Sequence, residues 1–188
     1  MLTVIIADGK HYELNFSPKS YSSSSRRFDV VARILLELAW AKHTIASNIL
    51  SNDVFILFRS LQERYVTYSL KLSDLSEVSI RNEYSLMLHL IKEGILKRTC
   101  FMEVQNIVKD KLLIHLTEKG KQLSKAKEIR DAVILMGGHG DVPEDVIVKL
   151  SKEARSILEV NVGPKSYLAS QSVFLFMYFD LLTLKNVL

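Results

Sequence analysis

The apolar run Ala132-Val-Ile-Leu-Met136 leads straight into Gly137-Gly138-His139-Gly140 and then a carboxylate, Asp141. A strand ending this way brings backbone without Cβ atoms to a sheet edge, where it can bend sharply or approach a ligand closely. A second apolar run, Ile157-Leu-Glu-Val-Asn-Val162, breaks in the same manner at Gly163-Pro164. Four of the seven glycines lie in these two bends, and the pair predicts a cofactor cleft between them. Neither bend matches the Gly-x-Gly-x-x-Gly dinucleotide fingerprint or the Gly-x-x-x-x-Gly-Lys-Ser/Thr phosphate loop. Nicotinamide, flavin and nucleoside triphosphate chemistry therefore lack their usual signature.

Arg26, Arg27 and Asp29 form a second group. The arginines fall at the start of a predicted helix, where positive side chains oppose the helix dipole. Two explanations stand side by side. One is an ion pair with Asp29, Glu37 or a neighbouring loop; the other is a phosphate site, where arginines and exposed helix N–H groups converge on one anion. Asp29 stabilises a helix N-terminus simply by its charge. Beside a phosphate-binding pair and a cofactor cleft, it can also orient or deprotonate a nucleobase N–H.

The rest of the composition narrows the field. His11, His43, His89, His115 and His139 are scattered, without Cys or His partners at metal-ligand spacing, which argues against a metal site. Cys100 is the only cysteine, so an internal disulfide is excluded and a reducing compartment is expected. The formal charge of +4 permits a polyanionic partner without requiring one. At 188 residues and 48% hydrophobic content, one domain spanning 1–188 with a substantial core is expected. The longest apolar run, residues 173–179, ends at Asp180 and is too short for a membrane span. With no leader before the first apolar strand, a cytoplasmic protein is expected.

The elements that must position these groups follow from periodicity. Residues 3–7 read as a strand, with Asp8-Gly9 as a tight turn and 11–16 as its hairpin return. Ser25 caps a helix running to about Ile49, with Phe28, Val31, Leu35, Leu38 and Ala39 inward. Residues 54–58 and 65–72 read as neighbouring strands, and 79–96 as an amphipathic helix with Leu86 and Leu90 inward, joined by Tyr84, Met87 and Ile91. Then come a strand at 111–116, a polar helix at 118–127 and the strand at 132–136. An Asp141/Glu144 capping box starts a helix that buries Val146, Ile147 and Leu150. A strand at 157–162 and a final helix at 166–184 complete an α/β sheet with helices on both faces. The final helix is apolar nearly all round over 173–179, which points to a homodimer interface ahead of simple core burial.

Three segments carry a resemblance. Ser25-Arg-Arg-Phe-Asp-Val-Val-Ala-Arg33, Val133-Ile-Leu-Met-Gly-Gly-His-Gly-Asp141 and Val160-Asn-Val-Gly-Pro-Lys-Ser-Tyr-Leu-Ala-Ser170 resemble the archaeal TrmY family of tRNA pseudouridine N1-methyltransferases, in the SPOUT class. The resemblance implies a SPOUT-type sheet with a C-terminal deep trefoil knot, S-adenosylmethionine held in the knot loops, and a homodimer. It sets Met136, Gly137, Gly138, Val162, Gly163, Ser166 and Tyr167 around the cofactor. Arg26, Arg27 and His139 are the RNA-facing candidates, and Asp29 the catalytic one. The implied reaction is methyl transfer to N1 of a pseudouridine, with position 54 of the tRNA T-loop as target. This sequence departs from the family pattern in having Gly137-Gly138-His139 where Gly-Asp-His is frequent, and Leu168 where a histidine is frequent. Its His139-Gly140-Asp141 leans instead toward the sister family of Nep-type ribosomal RNA pseudouridine N1-methyltransferases.

Two rivals remain. Another SPOUT activity, such as ribose 2′-O-methylation or protein arginine methylation, is the nearer one. The other is a winged-helix DNA-binding regulator, suggested by residues 84–98 followed by Leu112-Leu-Ile-His-Leu-Thr-Glu-Lys-Gly-Lys121.

Overall fold

In the computed structural model the residues described are 1–9, 28–44, 47–59, 65–75, 82–122, 131–161, 171–172 and 176. Their strands are β1 (Leu2–Asp8), β2 (Leu50–Arg59), β3 (Tyr65–Lys71), β4 (Lys97–Thr99), β5 (Leu112–Gln122), β6 (Ala132–Met136) and β7 (Ser156–Asn161). The helices are α1 (Phe28–Thr44), α2 (Glu83–Lys92), α3 (Phe101–Val108) and α4 (Glu144–Ser151), with a short 3-10 turn at Leu72–Leu75. The strands form one sheet in the order β4-β3-β2-β1-β6-β5-β7. β2, β1, β6, β5 and β7 run parallel, and β3 lies antiparallel to both β2 and β4.

Alternation along the central strands makes two cores. Leu2, Val4 and Ile6 face α1, α2 and Phe176, whereas Ile5 and Ala7 face the side covered by α3 and α4. Helices thus cover both faces, as the sequence predicts, and the parallel strands read as near-continuous apolar runs for that reason. Phe28, Val31, Leu35, Leu38 and Ala39 are all buried along α1, with Asp29 in its first turn and Lys42 and His43 in its last, matching the dipole. Leu86, Met87 and Leu90 are buried on α2, while Tyr84 is half-buried. Arg33 Nε donates to Glu83 Oε1 at 2.7 Å, tying α1 to α2. The main-chain amide of Glu83 first, and then Arg33, hold the Glu83 carboxyl below the usual carboxylate range.

Several expectations are corrected. β1 has β2 on one side and β6 on the other, both parallel, and residues 11–16, expected as its hairpin return, lie outside the described residues. α1 stops at Thr44; Lys42 Nζ bonds the carbonyls of Ser47 and Leu50 at 2.6 and 2.7 Å, fixing a turn where the helix was expected to continue. β2 begins at Leu50, because Leu50 pairs with Leu2 and the polar Asp53 pairs with Lys71, which apolar patterning does not register. α2 is shorter than 79–96. The Asn82 side chain and Ser85 close a capping box at its start, and Gly94, at φ +63°, follows its end. β4 and α3 were not anticipated. Only Val104 and Val108 of α3 are fully buried, too few for a strong periodic signal.

The polar helix expected at 118–127 is strand over 118–122; the remainder falls outside the described residues. Both Leu116 and Lys121 of β5 register with Val160 of β7, so the residues between them make an excursion before pairing resumes at Gln122 and Asn161. Gly120 lies so close that a Cβ there would come within 2.5 Å of the Val160 backbone. The Asn161 side-chain amide donates to the Glu118 carbonyl at 2.8 Å. Tertiary pairing overrides the helical preference of Glu-Lys sequence here.

At α4 the Asp141/Glu144 capping box is absent. Pro143 occupies the cap without a side-chain bond, its carbonyl accepting from the amides of Val146 and Ile147. Val146 and Leu150 are buried and Ile147 half-buried. The strand expected at 157–162 is β7, at the sheet edge, where Ile157 and Leu158 are 40% and 37% exposed because β5 is its single neighbour in the described sheet. Of the final helix, Gln171, Ser172 and Phe176 are described as helical, and Phe176 is fully buried within the chain. Residues 84–98 and 112–121 become α2, β4 and a strand inside the large sheet, which removes the winged-helix reading. No described helix is long and apolar enough to cross a membrane.

Candidate functional site

The parallel strands end together at one edge. Ile6 pairs with Met136 and Asp8 with Phe58, so the exits of β1, β2 and β6 lie side by side. The crevice outside the carboxyl ends of parallel strands is where open α/β sheets bind ligands.

At that edge the Gly137-Gly138-His139-Gly140 turn closes on itself. A Cβ at Gly137 would come within 1.9 Å of the Gly140 carbonyl oxygen and within 3.3 Å of the Asp141 carbonyl carbon, so only glycine fits. Gly138 is buried, whereas Gly140 faces open space with nothing within 4 Å of a Cβ position. The side chain of Met136 is buried in the core, leaving only its main chain for a ligand. His139 exposes its side chain and turns its backbone inward. Its N–H donates to Oδ2 of Asp8 at 2.7 Å.

Asp8 is 1% exposed. The Asp8-Gly9 pair predicts a turn, whereas Asp8 is the last residue of β1 and its carboxylate is buried. The available signal was a lone carboxylate closing an otherwise apolar strand. Gly9, just beyond, sits against Pro143, where an added Cβ would be 3.4 Å from Cγ, so the end of β1 packs beside the start of α4.

α1 begins at the same edge. The Phe28 ring meets Phe58, the residue paired with Asp8, at 5.6 Å between centroids and 81° between planes. Asp29, the next residue, is 7% exposed and is not without a partner. The structure therefore gathers Met136, Gly137, Gly138, His139 and the start of the Asp29 helix at one strand edge. Arg26, Arg27, Val162, Gly163, Ser166 and Tyr167 lie outside the described residues, as does the region of the expected knot.

Two further groups flank the turn. His115 on β5, paired with Leu135 and Glu159, is 6% exposed; its Nδ1 is buried without a hydrogen bond, 3.6 Å from Glu159 Oε1. Burial pushes its pKa below the ordinary histidine value, with the carboxylates of Glu159 and Asp141 opposing the shift. In the first turn of α4, Asp145 Oδ1 accepts the Tyr65 hydroxyl at 2.7 Å, and Lys149 Nζ lies 3.5 Å from Oδ2. Burial, then the Asp145 carboxylate, raises the Tyr65 phenol well above its usual range. Burial alone would raise Asp145, but the bonds from Tyr65 and Lys149 hold it low.

No family model matches this sequence, and no curated protein matches it. Among solved structures, the chain is similar to Archaeoglobus fulgidus Nep1 bound to S-adenosylhomocysteine. The TM-score is 0.60 at 15% identity, over 97% of this chain and 98% of that one. It is also matched to the SpoU methyltransferase AviRb from Streptomyces viridochromogenes, with a TM-score of 0.48 and 11% identity over 97% of this chain and 59% of that one. The backbone likeness to Nep1 extends nearly end to end, and the chain shares that protein's α/β fold, here a mixed seven-stranded sheet with helices on both faces.

Proposed function

We propose that the protein is an S-adenosylmethionine-dependent RNA methyltransferase that acts on N1 of a pseudouridine, with position 54 of the tRNA T-loop as its target. The observation that carries this reading is the glycine turn at the shared strand edge, closed on Gly137 and anchored through the His139 amide to Asp8. Support comes from the three sequence segments already described. The backbone likeness to a protein seen with S-adenosylhomocysteine adds to it.

The described residues fit such a cofactor. Gly140 opens onto free space, and neither it nor the buried Gly138 carries a side chain that would stand between main chain and ligand. Val162, Gly163, Ser166 and Tyr167 would complete the cradle by the resemblance. When bound, the cofactor supplies an electrophilic methyl group on a sulfonium sulfur. The protein's own work is positional: Arg26, Arg27 and His139 hold the RNA, so that N1 of a splayed-out base meets the methyl carbon in line. Asp29 holds or accepts the N1 proton as the new N–C bond forms. Its burial suits this role, because a carboxylate shielded from water interacts more strongly with the one N–H brought to it.

A Nep-type ribosomal RNA target is the second reading. It is favoured by His139-Gly140-Asp141 and by the likeness to Nep1. Incubating the protein with S-adenosylmethionine and pseudouridine-containing tRNA or ribosomal RNA fragments, followed by nucleoside mass spectrometry, decides between them. N1-methylpseudouridine in neither RNA would overturn both. A homodimer through the final helix belongs to the same proposal. Since Phe176 is buried within the chain, other residues of that helix would make the contact.

A further inference from the structure

The glycine turn has an energetic problem. With glycine at three of four positions, Gly137, Gly138 and Gly140, it has more backbone freedom to lose than any other segment of its length. A ligand held by the main chain of such a turn must also supply the free energy that orders it, unless the protein has ordered it already. The side chains of the turn contribute little. His139 is exposed, and the glycines have none.

Asp8 supplies the missing constraint. It belongs to β1, fixed on both sides by parallel partners, and is almost wholly removed from solvent. Its Oδ2 lies 2.7 Å from the amide nitrogen of His139, the only residue of the turn that is not glycine. That bond orients the Gly138–His139 peptide and, through it, the peptides on either side.

We propose that Asp8 is the positioning residue of the cofactor turn: its carboxylate clamps the His139 N–H, so that the main-chain groups of Gly138 and Gly140 are set before the cofactor arrives. The proposal rests on reading this turn as the S-adenosylmethionine site. What it needs from Asp8 is an acceptor oxygen at a fixed place, and a side-chain amide provides one.

Two variants of the full chain, Asp8→Ala and Asp8→Asn, test it. S-adenosylhomocysteine affinity is measured by calorimetry, and protection of the His139 amide by hydrogen exchange. Asp8→Ala is expected to bind at least tenfold more weakly and to exchange the His139 amide at least tenfold faster. Asp8→Asn, which keeps an acceptor oxygen, is expected to stay within threefold of wild type in both. A folded Asp8→Ala protein with unchanged affinity and unchanged exchange would overturn the clamp. If Asp8→Ala does not fold, Asp8→Asn carries the test: loss of His139 protection or tenfold weaker binding in a folded Asp8→Asn overturns the proposal. A wild-type protein that binds no S-adenosylhomocysteine would remove the cofactor reading, and the proposal with it. The exchange data would then report only whether Asp8 orders the turn.

Discussion

Asp29 and His115 are both buried ionisable groups near the strand exits, and they make different demands on pH and chemistry. Asp29→Asn preserves shape but cannot take a proton. The methylation rate at saturating RNA is expected to fall by about 10²-fold, with RNA affinity nearly unchanged; normal turnover in single-turnover assays would reduce Asp29 to a helix-start carboxylate. For His115, burial depresses the folded-state pKa, so the unfolded chain takes up its proton first as the pH falls. Below about 6.5 the unfolded state then binds more protons, and stability declines until the folded imidazole protonates as well. Urea midpoints between pH 7.5 and pH 5 should therefore drop less steeply in His115→Gln than in wild type; equal slopes would deny His115 this part. At this scale the sequence revealed types but not surroundings. Gly137 and Gly138 stood out because glycine after a strand is visible in one dimension, whereas Asp8 and His115 depend on residues far along the chain.

Among the elements, those with a long apolar face were legible, and those defined by a partner were not. β6, β1 and the buried face of α1 follow from their own residues. β4 exists because β3 offers it an edge, and β5 continues past Leu116 because β7 receives it. Gly120 shows the cost of that last arrangement. The atoms a Cβ would strike belong to the Val160 backbone, which cannot move aside as a side-chain tip would. Gly120→Ala is expected to destabilise by about 3 kcal/mol, at the upper end for overpacking. A chemical denaturation midpoint equal to wild type would mean that the two strands separate at low cost.

Across the whole molecule, the two faces of the sheet are covered by helices from different parts of the chain, and the final helix contributes Phe176 to the α1 side. Phe176→Ala is expected to lower stability by about 3–5 kcal/mol, the usual penalty for truncating a buried phenylalanine. Sedimentation separates this from the proposed dimer. A loss of stability with no change in subunit association marks Phe176 as core, whereas dissociation with unchanged subunit stability would make it an interface residue. The fold class was readable from strand and helix alternation. Which helix lies on which face was not, because that depends on how each chain segment crosses the sheet.

The excursion in β5 has one more consequence, for chain length. Because Leu116 and Gln122 face consecutive residues of β7, Val160 and Asn161, the segment from Thr117 through Lys121 can be spliced out without moving either flank along its partner. A protein so shortened is expected to keep its sheet, a stretch of backbone serving as a removable insert in an otherwise continuous ladder. A loop added or lost here is expected to alter what the edge presents while the cores beneath remain as they were.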